Sequence, residues 1–131
     1  MQNTSERTAL LLNIRPAIPV LSTSLVSKEH FQNITLRPIL KFQNDLLIQV
    51  FRQYIIKRKN VFNSLDKPHQ IEYIEQVIKK DLKFKQLLVG LVIGQFTVEE
   101  YEIFTQNESE YIRRTTNMTI KRLQDQIDNL I

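Results

Sequence analysis

Residues 81–104, DLKFKQLLVGLVIGQFTVEEYEIF, contain the longest apolar run of the chain and both of its glycines. From residue 87 to residue 93 every position except Gly90 is apolar. In a helix this pattern means an apolar surface on all sides, which is typical of a segment surrounded by protein or lipid. A bilayer span needs about 20 apolar residues, so the run is too short to cross a membrane. It predicts a buried helix at the centre of the fold.

The end of this apolar run predicts a sharp corner between two helices. Gly90 and Gly94 lie four residues apart, a spacing that lets another helix approach closely. Gly94 also stands where a helix should stop in a left-handed C-terminal cap. Thr97 and Glu100 then match a capping box at the start of a second helix. We expect a tight helix-turn-helix corner near residues 94–97. DNA recognition there is disfavoured, because the second helix carries three glutamates and no basic residue.

The composition is that of one globular domain. The chain has 131 residues, of which 42% are hydrophobic and 24% charged, enough to form a single core. It has no cysteine, so disulfides and thiolate metal sites are excluded, and a reducing compartment is allowed. Residues 1–12 lack the pattern of a secretory signal peptide. A cytoplasmic location is therefore expected.

Helical periodicity dominates the chain outside its beginning. Residues 1–26 are predicted to be a partly disordered or extended N-terminal segment, because Pro16 and Pro19 oppose regular structure. From Leu36 apolar residues recur at steps of three and four, which predicts one long helix to about Asn60. No β pattern of any length appears. The fold class is therefore all-α: a single-domain helical bundle over residues 27–131, with about five to six helices.

The last helix carries an apolar stripe that has two interpretations. Asn107 and Glu110 match a second capping box at its start. The stripe follows a short heptad pattern and consists of Thr116, Ile120, Leu123, Ile127 and Leu130. It could close the bundle internally, or it could be a self-association seam between two copies of the chain.

Charge is distributed unevenly along the chain, whose formal net charge is +4. Residues 37–85 are strongly basic, whereas residues 86–111 contain acidic residues and no Lys or Arg. Brought together by a helix hairpin, the basic residues would form a patch for nucleic acid, anionic lipid or an acidic protein; otherwise they are a solvated face. The basic residues are Lys57, Arg58, Lys59, Lys79, Lys80, Lys83 and Lys85. Glu99, Glu100 and Glu102 are a candidate acidic surface for a partner.

No constellation of catalytic or metal-ligating residues is visible. His30 and His69 are the only histidines, so one chain cannot build a three-histidine metal site. His69 and Glu72 have the spacing of half a metal site, which is also what a polar first helical turn would contain. The glutamates of residues 99–110 lack the pattern of a calcium loop. No phosphate-cradling glycine loop is present. We therefore expect no enzymatic activity, no cofactor, no metal and no small-molecule substrate.

Three segments resemble a group of small, uncharacterised helical proteins of flavobacterial type. They are LRPILKFQNDLL (36–47), IEYIEQVIKKDLKFKQLLVGLVIGQFTVEEY (71–101) and RLQDQI (122–127). The resemblance covers residues 27–131 and implies a helical fold without an established activity or known functional residues. Some members carry the label glyoxalase. That label implies paired β-α-β units with spaced His and Glu ligands, and this chain has neither.

Two functions remain open from the sequence. The first is a protein-interaction or scaffold module, self-associating or bound to a partner protein. The alternative is a nucleic-acid-associated helical protein that uses the basic patch around residues 57–59 and 79–85. The two differ in whether binding depends on nucleic acid and falls steeply with salt.

Overall fold

The computed structural model describes residues 5–16 and 27–131, and its regular secondary structure there is helical throughout. This confirms an all-α bundle. The helices are α1 (Ser5–Ile14), α2 (Ser27–Phe31), α3 (Arg37–Phe42), α4 (Asn44–Lys57), α5 (Lys67–Lys80), α6 (Leu82–Ile93), α7 (Val98–Thr105) and α8 (Glu108–Gln124). A π-helical turn (Gln32–Leu36) joins α2 to α3, and short 3₁₀ turns lie at Val61–Ser64 and Ile127–Asn129.

The described residues contain more helical segments than the five or six expected, partly because the long helix predicted from Leu36 is interrupted. The interruption is at Gln43, whose backbone (φ −86°, ψ 1°) leaves the helical region between α3 and α4. The Gln43 side-chain amide donates a hydrogen bond of 2.7 Å to the Leu91 carbonyl. Because Leu91 is distant in sequence, the spacing of apolar residues around Gln43 does not predict this contact or the helix break.

Helix α8 is the central helix of the bundle and packs against α5, α6, α7 and the π-helical turn. Its inner face is the apolar stripe predicted as a candidate seam. Every member of that stripe is buried within the monomer: Thr116, Ile120, Leu123, Ile127 and Leu130. The self-association seam is therefore wrong, because these side chains already form the monomer's core. The stripe closes the bundle.

Aromatic side chains organise the core into two clusters. Around Phe51, ring centroids of Phe62 and Phe84 lie 5.9 Å away. Around Phe104, Phe96 lies at 5.5 Å and Tyr111 at 6.1 Å. Edge-to-face and offset arrangements at these distances are favourable beyond the burial of the rings. The first cluster joins α4 to α6 and so fixes the position of the site described below.

Helix α6 is not surrounded on all sides, contrary to the sequence-based prediction. Leu88 and Val92 are buried at 1% and 0% exposure, whereas Leu82 and Leu87 are 63% and 49% exposed. Gly90 is also exposed, and a Cβ atom there would meet nothing within 4 Å. The prediction that another helix approaches closely at Gly90 is therefore wrong. The bundle covers one face of α6 and leaves the other open.

The corner after α6 forms as predicted, but not through a left-handed glycine. Gly94 has a right-handed backbone (φ −59°). The carbonyl groups of the corner are satisfied instead by arginines of α1 and the residue that follows it: Arg7 donates to Phe96 at 2.7 Å and Arg15 to Gln95 at 2.8 Å. Cations suit the negative end of a helix dipole.

Two predicted capping boxes have different outcomes. The box at Thr97 and Glu100 is confirmed, with both reciprocal hydrogen bonds present at 3.1 and 2.9 Å. The box at Asn107 is wrong, because its side chain makes no capping hydrogen bond. The Glu110 carboxylate instead binds Arg113 and Arg114, which lower its pKa to about 2.

The N-terminal region is more ordered than expected where it is described. Residues 1–26 were predicted to be partly disordered or extended, yet α1 is helical and lies against the corner. Residues 1–4 and 17–26, with the extended stretch predicted around Pro19, lie outside the described residues. Of the helices in the described parts of the chain, none combines the length and apolar character that a membrane span requires.

Candidate functional site

The structure brings three of the seven predicted patch residues to one groove. Lys57 and Arg58, at the end of α4, and Lys83, on α6, line the same depression. The other four lie elsewhere: Lys59 follows α4 with a positive φ of 60°, Lys79 pairs with Glu75 at 2.9 Å, and Lys80 and Lys85 do not line the groove. The groove therefore collects three of the seven residues, and a single patch of all seven stays a prediction.

The depression, here called the α4–α6 groove, lies between two antiparallel helices. Its floor and rim are formed by Gln49, Val50, Gln53, Tyr54, Lys57 and Arg58 of the α4 segment and by Asp81, Lys83, Phe84 and Leu87 of the α6 segment. Its volume is about 450 Å³. The Gln43–Leu91 hydrogen bond joins the two segments near one end, and Tyr54 joins Asp81 at the other with a 2.9 Å hydrogen bond. The groove walls are thus held at both ends.

The floor of the groove is apolar. Tyr54 and Phe84 lie face to face at a tilt, with ring centroids 4.1 Å apart and exposures of 8% and 7%. Leu87 continues this surface and is half exposed, and Leu46 is similarly exposed one turn before Val50 on α4. Unlike a buried core position, Leu87 has apolar surface still available to a partner.

A hydrogen-bonded trio fixes the polar end of the groove. Asp81 caps α6, and its pKa is lowered first by the Phe84 backbone N–H and then by the Tyr54 hydroxyl. Burial and the bond to Asp81 raise the pKa of Tyr54 to about 12, so this hydroxyl stays protonated and donates. Arg58 pairs with Asp81 at 3.1 Å and lies 3.6 Å above the Tyr54 ring centre. Arg58 is therefore largely compensated.

The remaining charges on the rim are uncompensated. Neither Lys57 nor Lys83 has a carboxylate partner among the described residues. They stand on opposite walls, one on each helix, above the apolar floor. The groove therefore combines two free ammonium groups with apolar surface.

The predicted acidic surface is only partly a surface. Glu100 is an internal tie: Arg15 binds it at 2.6 Å, and the buried Thr35 donates to it at 2.9 Å. Burial alone would raise the pKa of Glu100, but the hydrogen bonds from Arg15, Thr97 and Thr35 outweigh it and lower the pKa. Glu99 accepts a hydrogen bond of 3.4 Å from Thr8. Glu102 is exposed.

The histidine with metal-like spacing is used in a helix start. His69 contacts the carboxylate of Asp66, which caps α5 through the His69 backbone N–H at 3.1 Å. This contact raises the pKa of His69. In residues 5–16 and 27–131, no group of three or more His, Asp or Glu side chains could hold a metal ion.

A second, more basic groove lies between α3 and α8, and the sequence-based reasoning missed it. This depression, here called the arginine groove, has a volume of about 700 Å³. Its basic residues are Arg37, Arg113, Arg114, Lys121 and Arg122. The local signal was the spacing of basic residues along α8, with Arg113 and Arg114 separated by two turns from Lys121 and Arg122. Nothing local placed Arg37 beside them.

Comparison of the chain with protein-family models, with curated proteins and with solved structures found no match. The likeness to helical proteins of flavobacterial type therefore stays a prediction. Function must be inferred from the two grooves themselves.

Proposed function

We propose that the protein is an interaction module whose α4–α6 groove binds an acidic amphipathic helix of a partner protein. The observation that carries this proposal is the half-exposed Leu87 on an apolar floor between the unpaired Lys57 and Lys83. A helix laid in such a groove would bury apolar anchors against the floor and place carboxylates near the two ammonium groups. This is a recurring mode of peptide recognition.

The size of the groove defines the ligand it would take. Along α4 the lining runs from Gln49 to Arg58, about 14 Å at 1.5 Å per residue. Two apolar anchors at positions i and i+4 of the partner fit within that length, and flanking glutamates reach the rim. Burial contributes about 25 cal/mol per Å² of apolar surface, whereas the rim charges contribute mainly to specificity and association rate.

Nucleic acid fits this groove less well than an acidic helix. Binding of single strands relies on aromatic faces that stack on bases. Phe84, the aromatic residue between two lysines, is only 7% exposed and packs on Tyr54. Asp81 lines the groove as a carboxylate and would repel phosphate. The nucleic-acid alternative is therefore placed second and becomes an outcome of the test.

The test is fluorescence anisotropy with a labelled peptide of about 14 residues, roughly four helical turns, carrying two leucines at i and i+4 among glutamates. We expect saturable binding that weakens with salt. Leu87→Ser and Lys83→Glu should each weaken it about tenfold, or about 1.4 kcal/mol. Matched controls lie on the same helix: Leu82→Ser removes an exposed leucine and Lys85→Glu reverses a lysine, both outside the groove.

The controls decide the outcome. If Lys85→Glu weakens the peptide as much as Lys83→Glu, attraction is general and the groove is not the site. If a peptide with lysines in place of the glutamates binds equally well, the charge complementarity is absent. Competition by single-stranded RNA at lower concentration than the peptide would favour the nucleic-acid alternative.

A further inference from the structure

The arginine groove differs from the α4–α6 groove in where its charges are compensated. Arg113 and Arg114 both bind Glu110, at 2.7 and 2.8 Å. At the other end of α8, Lys121 binds Asp125 at 2.8 Å. The Lys121 end of the groove is therefore neutral, whereas the Glu110 end, with two arginines on one carboxylate, keeps a net charge of +1.

The middle of the groove holds two arginines with little compensation. The Arg37 guanidinium has no hydrogen-bond or ion-pair partner among the described residues. Arg122 makes one hydrogen bond, of 3.3 Å, to the Asn44 side-chain oxygen. Burial and the positive charge of Arg37 lower the pKa of Arg122, and the carboxylate of Asp125, which lines the same groove, opposes them only in part. The two guanidinium groups therefore repel each other. Both remain charged at neutral pH, so an anion between them would relieve the repulsion.

We propose that the arginine groove binds a compact organic phosphate, with the phosphate group held by Arg37 and Arg122. A guanidinium group matches the geometry of phosphate oxygens with two parallel hydrogen bonds. The half-buried Met118 supplies apolar surface beside the arginines for the organic part, and Asn117 adds an amide. Leu40 also lines the groove but is only 1% exposed. The volume of about 700 Å³ lies within the range of small-molecule sites.

A compact ligand fits this groove better than an extended nucleic-acid strand. A strand that followed α8 would pass the carboxylates of Glu110 and Asp125, which bind the basic residues near either end. Among the described residues that line the groove, none is aromatic, so a stacking platform for successive bases is missing. The arginine side chains without an ion pair, Arg37 and Arg122, lie in one groove, as a single phosphate or diphosphate group requires.

Isothermal titration calorimetry of the full chain tests this site. The probes are ADP, glucose 6-phosphate, inorganic phosphate and a short single-stranded RNA, with adenosine as the uncharged control. We expect saturable one-site binding of ADP or glucose 6-phosphate and none of adenosine. The relative affinity of the two organic phosphates distinguishes a nucleotide from a sugar phosphate.

Variants locate the binding. Arg37→Gln and Arg122→Gln should each weaken the organic phosphate at least tenfold. Arg37→Gln removes no hydrogen bond within the described chain, so its thermal midpoint should equal that of the wild type. Arg52→Gln is the matched control, because it removes an exposed arginine of α4 that lines neither this groove nor the α4–α6 groove. Its effect should not exceed twofold.

Four results would overturn the proposal. Inorganic phosphate binding as tightly as both organic phosphates would indicate a simple anion site. RNA that binds more tightly and displaces them would indicate a nucleic-acid surface. No binding of any probe, or equal weakening by Arg52→Gln, would remove the site. None of these results bears on the α4–α6 groove, which Lys83→Glu tests separately.

Discussion

Gly90 lies on the open face of α6, where a Cβ atom would meet nothing within 4 Å. Packing therefore does not require a glycine at this position. Gly94 is different, because a Cβ atom there would lie 3.3 Å from the Gly90 carbonyl oxygen. The contact at Gly94 is local, because it lies within the last turn of α6. The open space around Gly90 depends on where the neighbouring helices lie, and that information is not local.

Replacing Gly90 by alanine should stabilise the protein by about 0.5–1 kcal/mol, because a helical glycine costs that much in backbone entropy. Urea denaturation of the full chain measures it. Gly94→Ala is the matched control and should gain less or lose stability. A Gly90→Ala variant less stable than the wild type would show that something covers this face of α6.

At the scale of elements, the corner between α6 and α7 shows which local signals are sufficient. The capping box at Thr97 and Glu100 acts over three residues, so the sequence predicts it correctly. The helix end before it depends on Arg7 and Arg15, which lie more than 75 residues away in sequence. The same distance explains why Glu100 was predicted as a surface residue. Because Glu100 caps α7 and also binds Arg15 and Thr35, it holds distant segments of the chain together.

Glu100→Gln should lower stability at neutral pH by about 1.5–3 kcal/mol, the range for hydrogen bonds to a charged group. Because the pKa of Glu100 is lower in the folded chain than its ordinary 4.5, folding favours the ionised form. This contribution is complete above about pH 5 and is lost as pH falls through the folded-state pKa. The melting temperature, measured from pH 7 to pH 3, should therefore fall less steeply in Glu100→Gln than in the wild type.

The matched control for this pH dependence is Glu102→Gln, on the exposed side of the same helix. It should keep the steep decline of the wild type. If both variants behave like the wild type across the whole range, Glu100 does not join α1 to the corner. Other carboxylates with lowered pKa values, including Glu110 and Asp81, contribute equally to all three proteins.

At the scale of the whole molecule, the helical period predicts the fold class, because it reports burial on one face of each helix. It does not predict which helix is central. The apolar run of α6 suggested that α6 is central, yet α8 lies at the centre with a mostly polar sequence and a narrow buried stripe. Likewise, the sequence does not predict which of the seven patch residues come together, and three of them, Lys57, Arg58 and Lys83, line one groove. The arginine groove brings together Arg37 and Arg122, which lie far apart in the sequence.

Leu123→Ala should destabilise the monomer by about 2–5 kcal/mol, the usual cost of a cavity in a core, because Leu123 has 0% exposure. Chemical denaturation measures it, and the midpoint should not change with protein concentration. Ile131→Ala, at a position 61% exposed, should cost less than about 0.5 kcal/mol. A midpoint that rises with concentration would instead indicate that the stripe pairs two copies.

The central claim is that the α4–α6 groove receives an acidic helix, and an amide NMR titration of the isotope-labelled full chain with the acidic peptide tests it most directly. We expect the largest chemical-shift changes at the backbone amides of Val50, Tyr54, Phe84 and Leu87. The amides around Arg122 should keep their chemical shifts. Shift changes centred on the arginine groove, or none at saturating peptide, would contradict it.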